Sequence, residues 1–317
     1  MKNKLSFKEQ VEFFNNKNII IDINNVGDNI NQTEVFKILK ERNYFFKFKT
    51  FNKCYEKNNN GVYKNLDFKS LHRFGILDTS FRSLVLELSL ICEHLLKTKI
   101  NYLCTTNNQD DGYISVKDFL NNYVPNELKR YYNGKKNYYT ESFMTKYSSN
   151  FAVWNLLEIL TFSETLDFYN FYINKYYKGK DLKQLILNEL YAIKNLRNAA
   201  AHNNCILYLL GDNLQKLGNK YTDSNNQQSK GYSYNIKYIL YKNNMNDDLG
   251  REFLLHDFLC LVYVFNKLCP KGKLKKLGKK SIKNFFIKCE KKVWFKIPRI
   301  VKYKYLFIKK ATRIILK

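Results

Sequence analysis

Three residues near the middle of the chain, Arg197, Asn198 and His202, have the types and spacing needed to work on a phosphate. They sit in Asn195-Leu196-Arg197-Asn198-Ala199-Ala200-Ala201-His202, an R-N-x-x-x-H pattern. Histidine takes up and releases protons near neutral pH, so it serves as base or acid. Arginine stays charged and grips phosphate oxygens through two parallel N–H bonds. The Asn198 amide can orient a histidine or donate to a phosphate oxygen. Short patterns of this kind recur freely, and the plain alternative is a helix surface that carries one charged and one aromatic polar residue.

The segment that must position these side chains reads as one amphipathic helix. Leu182, Leu185, Ile186, Leu190, Ile193, Leu196 and Ala200 form its apolar stripe, and Asp181 is the expected cap. At about 100° per residue, Arg197 falls at the edge of that stripe, while Asn198 and His202 project together from the other side. Ala199–Ala201 would let another backbone or a substrate approach closely. The four histidines are His72, His94, His202 and His256, and only His202 lies in such a cluster.

The rest of the chain reads as helical. Ser6-Phe7-Lys8-Glu9 is a capping box ahead of Val11 and Phe14. Ile19–Ile23 reads as a short extended piece, and a helix is expected over about 31–42. The Asn-rich stretch 57–66, with Gly61, reads as a surface loop. Asp67 can cap a short helix to about Leu77, and a long one follows from about Ser80 to Leu103. Ser115 begins another, broken near Pro125, and 133–141 reads as a polar loop. A second block starts near Phe151, with Trp154, Leu157, Thr161 and Phe168 on one face and Ser163 re-capping it. Glu158 lies on the same largely apolar stretch. A half-buried carboxylate there needs a partner: a structural ion pair or helix terminus on one reading, Arg197 or a place in the cleft on the other. Residues 211–234 are polar and aperiodic, and a last core helix is expected over about 248–269, ending at Pro270. No internal repeat is evident.

Charge is distributed unevenly. The 317 residues hold 54 Lys and Arg against 28 Asp and Glu, a net of +26. Residues 271–317 hold 18 basic residues and one acid, Glu290, for +17, which leaves 36 against 27, or +9, for the first 270. Such an excess attracts polyanions. In the tail, Lys273, Lys275, Lys276, Lys279, Lys280 and Arg299 are interleaved with Trp294, Phe295, Tyr303, Tyr305 and Phe307. Phosphate attraction plus stacking rings describes an RNA-binding surface; a basic amphipathic helix on a membrane surface is the alternative. Either way, the tail is expected to be separable from the rest. The seven scattered cysteines form no CxxC and stand at no metal-ligand spacing from a histidine, so reduced thiols, no metal and a cytoplasmic setting are expected. The opening MKNKLSFKEQ has no apolar core of a signal peptide, and no run is long enough to span a bilayer.

The ordered set of motifs resembles the Abi-like (AbiD/AbiF) abortive-infection family, whose second half is a HEPN domain. The resembling pieces are Phe7-Lys8-Glu9-Gln10, Asn43-Tyr44, Asp78-x-x-x-Arg82 with Glu93, Trp154-x-x-x-Glu158-x-x-x-Phe162, and Leu196-Arg197-Asn198…Ala201-His202, over roughly residues 1–270. Where the family often continues past the His with another His or a Trp-Asn, this chain has Asn203-Asn204-Cys205, and the Pro often preceding the Trp is absent. The resemblance implies an all-α fold: an N-terminal helical region (1–145) packed on a HEPN-like helical bundle (146–270). The tail, 271–317, lies outside the resemblance and reads by itself as basic and helical, with amphipathic stretches at 281–295 and 299–316. It also implies a metal-independent, cofactor-free endoribonuclease of a phage-defence or toxin–antitoxin system, working as a homodimer and associated with a small RNA. Arg197, Asn198 and His202 would be catalytic and Glu158 supporting. RNA brings its own nucleophile, the 2′-OH, so cleavage requires a base, an acid and positive charge on the phosphate. A non-catalytic protein that grips a structured RNA is the alternative.

Overall fold

A single long helix organises the molecule. In the computed structural model, described over residues 3–21, 30–124, 128–147, 150–176, 186–211, 216–217, 221–222, 228–229, 231–292 and 297–317, α4 runs unbroken from Phe68 to Thr105. Its 38 residues extend for about 57 Å at 1.5 Å per residue. Asp67 starts it as expected, its Oδ1 accepting the Ser70 N–H at 2.6 Å. The break expected between Leu77 and Ser80 is absent. No proline falls there, and the buried positions Leu71, Phe74, Asp78, Phe81, Val85, Leu88 and Cys92 continue in phase through it. Gly75 meets the neighbouring chain closely: a Cβ there would lie 3.3 Å from both Asn43 and Phe51.

The N-terminal elements wrap the start of α4. Helix α1 (Phe7–Asn16) opens with the expected Ser6–Glu9 capping box. Helix α2 spans Gln32–Glu41 and α3 spans Phe45–Phe51. Phe14, Phe48 and Phe68, all fully buried, join α1, α3 and α4. Beyond α4 come α5 (Ile114–Tyr123), α6 (Leu128–Lys135) and α7 (Glu141–Tyr147). The last two leave only a short turn where a loop over 133–141 was expected. Helix α8 (Val153–Ile159) and α9 (Phe162–Tyr176) then flank Thr161. Thr161, rather than Ser163, caps α9: its Oγ1 accepts the Glu164 N–H at 3.3 Å and Glu164 accepts the Thr161 N–H at 2.7 Å. Expected to share one face, Trp154, Leu157, Thr161 and Phe168 divide. Leu157 and Phe168 are buried, whereas Trp154 and Thr161 are exposed.

Helix α10 (Leu187–Ala201) packs against both α4 and α13 (Phe253–Leu268), and α13 also lies on α4. These three helices form the centre of the protein. Asp181, Leu182, Leu185 and Pro125 lie outside the described residues. A two-residue pairing of Tyr221–Thr222 with Gln228–Ser229, then α11 (Tyr234–Lys242) and α12 (Asp247–Gly250), precede α13. The class is all-α. Among the described residues no helix is long and apolar enough to cross a membrane, and the seven cysteines form no disulfide.

The basic tail differs most from its sequence reading. It forms α14 (Lys273–Lys292) and α15 (Arg299–Ile315), which pack on α4 and α13 respectively. Ile282, Phe285, Phe286, Val301, Tyr305, Phe307, Ile308 and Ile315 are buried in the same core that begins at Val11. Core packing is thus continuous across residues 145 and 270. A Cβ on Gly278 would overlap the Phe265 ring, which is how closely α14 approaches α13. Tyr305 and Phe307 therefore serve packing, not stacking on a ligand; Tyr303 is exposed, and Trp294 and Phe295 lie outside the described residues.

Candidate active site

The last turn of α10 carries the R-N-x-x-x-H residues. Arg197 and Asn198 are half-buried and His202 is exposed. Arg197 Nη1 donates to Asn198 Oδ1 at 3.2 Å, which fixes the two side chains together. Arg197 Nε is buried with no hydrogen-bond partner among the described residues.

His202 is the C-cap of the helix, and its backbone is held by the turn that follows. Asn203 adopts φ 59°, the left-handed conformation. Its N–H reaches Ala200 O at 3.1 Å, and the Asn204 N–H reaches Ala199 O at 3.0 Å. These two bonds define a Schellman stop, which satisfies carbonyls the helix end would otherwise leave open. Asparagine is among the few non-glycine residues that adopt this conformation readily. The residues that depart from the family pattern, Asn203-Asn204, thus end the helix directly after His202.

The chain beyond that stop is clasped by α4. Asp78 is fully buried, and its Oδ1 accepts the N–H groups of Ile206 at 2.8 Å and Leu207 at 2.7 Å. Its other oxygen pairs with Arg82. Arg82 Nη1 in turn donates to Asn204 O at 3.3 Å, and Nη2 to Thr79 Oγ1 at 2.9 Å. Burial pushes the Asp78 carboxyl up, while the Leu207 and Ile206 N–H groups, Arg82 and Lys47 pull it back. Lys47, on α3, is also buried; burial first, then Arg82, lowers its pKa. Burial beside Asp78 raises the Cys205 thiol to about 11, away from a reactive thiolate. Further along, Cys54 Sγ approaches Tyr208 O at 3.3 Å, and Lys304 of α15 donates to Gly211 O at 3.1 Å. Segment 203–211 is therefore fastened at several points from the motif onward.

The structure brings Arg197, Asn198 and His202 together on one helix end and does not add Glu158 to them. Glu158 is exposed on α8 and makes no ion pair among the described residues. The expectation of a half-buried carboxylate fails because α8 buries Asn155, Leu156, Leu157 and Ile159 and turns Trp154 and Glu158 outward. Of the tail residues, Lys273, Lys276, Lys280 and Arg299 are exposed. Lys275 donates to Asn266 O at 2.6 Å and Lys279 to Leu316 O, so these two cap the ends of α13 and α15. Trp294 lies outside the described residues. Among those described, no three His, Cys, Asp or Glu side chains gather where they could hold a metal ion.

In the sequence, Asp78 and Arg82 stand only as a resembling motif without a role, Asn203 only as a departure from the family pattern, and Lys47 carries no signal. The signal for the first two was present. An Asp and an Arg embedded in an otherwise apolar helix run must find polar partners, and the helix itself offers few.

A family model described as "Abi-like protein" matches residues 37–208, more than half of the chain. The span holds both Asp78–Arg82 and Arg197–His202, hence both sides of the clasp up to Tyr208. It is narrower than the 1–270 suggested by motifs alone: Phe7–Gln10 and α11 to α13 fall outside it. No curated protein and no solved structure matches the chain.

Proposed function

Because the chain belongs to the Abi-like protein family, we propose that it acts in abortive-infection phage defence as a HEPN-type endoribonuclease, with Arg197, Asn198 and His202 as its catalytic residues. The observation that carries this reading is the end of α10. There an exposed histidine and a half-buried arginine, its Nε unpartnered among the described residues, stand on a helix terminus fixed by a Schellman stop and the α4 clasp. A group that transfers protons must be held near its target, and positioning of this kind is what the clasp supplies.

In this mechanism the RNA 2′-OH attacks the adjacent phosphorus, and the 5′-oxygen leaves. Arg197 neutralises the charge that builds on the phosphate oxygens, where a fixed cation is worth most. Asn198 holds the guanidinium in register through its 3.2 Å bond. His202 transfers a proton, either taking it from the 2′-OH or giving it to the leaving oxygen. One chain supplies one such histidine, so a homodimer with two motif ends facing one cleft would supply both roles. A small RNA bound to the protein would restrain it until infection.

The chemistry predicts its own end groups. Products should carry a 2′,3′-cyclic phosphate and a 5′-hydroxyl, and a 2′-deoxy substitution at the scissile nucleotide should stop cleavage there. Continued cleavage at a deoxy position would mean that the nucleophile is not the 2′-OH, and the mechanism would fail.

A further inference from the structure

Helix α11 presents a surface that the catalytic reading does not use. It buries Ile236 and Leu240 and leaves Tyr234, Lys237, Tyr238, Tyr241 and Lys242 exposed. These five stand at i, i+3, i+4, i+7 and i+8, one continuous stripe of a helix. The tyrosines are 74%, 49% and 76% exposed. Tyr234 and Tyr238 lie near parallel, ring centroids 6.3 Å apart and planes inclined by 19°, and the Lys242 ammonium sits 5.6 Å from the Tyr238 ring. The helix contains no acidic residue.

The platform is fixed to the motif helix. Ser233 caps α11, its Oγ accepting the Ile236 N–H at 3.2 Å and donating to Glu189 of α10. Asn235 Nδ2 also donates to Glu189 at 3.0 Å, and the Ser233 N–H reaches His256 Nε2 at 3.1 Å. Glu189 is thirteen residues before His202 along α10, a separation of about 20 Å at 1.5 Å per residue.

We infer that the α11 stripe is a stacking platform for unpaired bases of single-stranded RNA, with Lys237 and Lys242 meeting its phosphates. Planar rings with interspersed cations suit a strand whose bases are free to splay onto them, whereas bases within a duplex are already stacked. A protein partner would also favour tyrosine, but interface cores are depleted in lysine, and this stripe alternates lysine with tyrosine. The inference deepens the ribonuclease reading by naming the strand state of the RNA, and it rests on that reading for its biological sense.

The test uses the full chain in a His202→Ala background, so that binding is measured without cleavage. The probes are a fluorescent A/U-rich 12-nucleotide RNA and the same strand annealed to its complement. Tyr238→Ala and Tyr241→Ala should each weaken single-strand binding by about 5- to 100-fold, with little change for the duplex. Tyr241→Phe should restore affinity, because the ring and not the hydroxyl is used. Unchanged single-strand affinity in both alanine variants would overturn the proposal, as would equal losses on single strand and duplex. A parent protein that binds no single strand would overturn it too. If the alanine variants instead altered sedimentation while RNA affinity held, the stripe would be a protein contact and the RNA assignment would fall. Because cleavage is not the readout, stacking can hold even where the catalytic assignment fails.

Discussion

The end of α10 and the α14–α15 pair are both polar to the eye, and they are built in opposite ways. At α10 a few polar groups stand on a helix end whose backbone closes in a Schellman stop. In α14 and α15 the lysines are abundant, yet the helices between them are core. Lys304 itself is buried, paired with Glu252 at 2.8 Å. Net charge measures what a segment attracts, whereas hydrophobic spacing decides where it sits. Val301, Tyr305, Ile308, Ala311 and Ile315 recur at helical intervals on one face of α15, and that face outweighs the +17 around it.

Magnitudes make the contrast testable. Burial of Val301, Phe307, Ile308 and Ile315 contributes about 1.5–3 kcal/mol each, against a total stability of about 5–15 kcal/mol for a typical protein. Deleting 297–317 should therefore unfold the protein rather than trim an RNA-binding arm. Loss of the cooperative thermal transition, seen by circular dichroism, is the expected result; a truncated chain that melts like the parent would return the tail to an appendage.

A smaller loss is expected at the clasp. Asp78→Ala leaves Arg82 buried without its carboxylate and orphans the Ile206 and Leu207 N–H groups, at a cost of about 3–5 kcal/mol. The urea midpoint should fall accordingly. Hydrogen exchange should quicken at 204–207 more than in α15. A uniform change across both would mean that the clasp is not local to the motif.

The smallest effect belongs to Glu290 and Lys309, which join α14 to α15 at the surface. The Lys309 contact holds the Glu290 carboxyl below its ordinary range. A depressed carboxylate stabilises the fold above the unfolded pKa of about 4.3 and loses that contribution as pH falls through the lower folded value. Glu290→Gln should remove this acid dependence, by no more than about 1 kcal/mol for so exposed a pair. A larger change would mean that the tail is held by charge rather than by its apolar face.

Local rules made much of the fold legible. The Ser6–Glu9 box, the Asp67 cap and the α10 stripe from Ile186 to Ala200 stand where side-chain chemistry put them. The miscounts came from features that tertiary contacts settle. Asp67–Leu103 reads as two helices, one to about Leu77 and one from about Ser80, where the structure has one that carries the buried Asp78 through the junction. Asp78 is satisfied by Ile206 and Leu207, 128 and 129 residues away, a partnership no local pattern could reveal. Glu158 failed for the converse reason: periodicity marks a face but not which neighbour covers it. Arg197, Asn198 and His202 stand out in the sequence as a polar face on one helix; that the helix ends at His202 is what the structure adds.

The central claim is that His202 transfers a proton in RNA cleavage. Parent and His202→Ala proteins should be incubated with single-stranded RNA and excess chelator, and initial cleavage rates compared at equal urea midpoints. His202 is exposed, so the substitution should change stability by no more than about 0.5 kcal/mol. The account predicts that the parent cuts and that His202→Ala is slower by about 10²–10⁴. Cleavage by His202→Ala at the parental rate, or no cleavage by the parent, would contradict it.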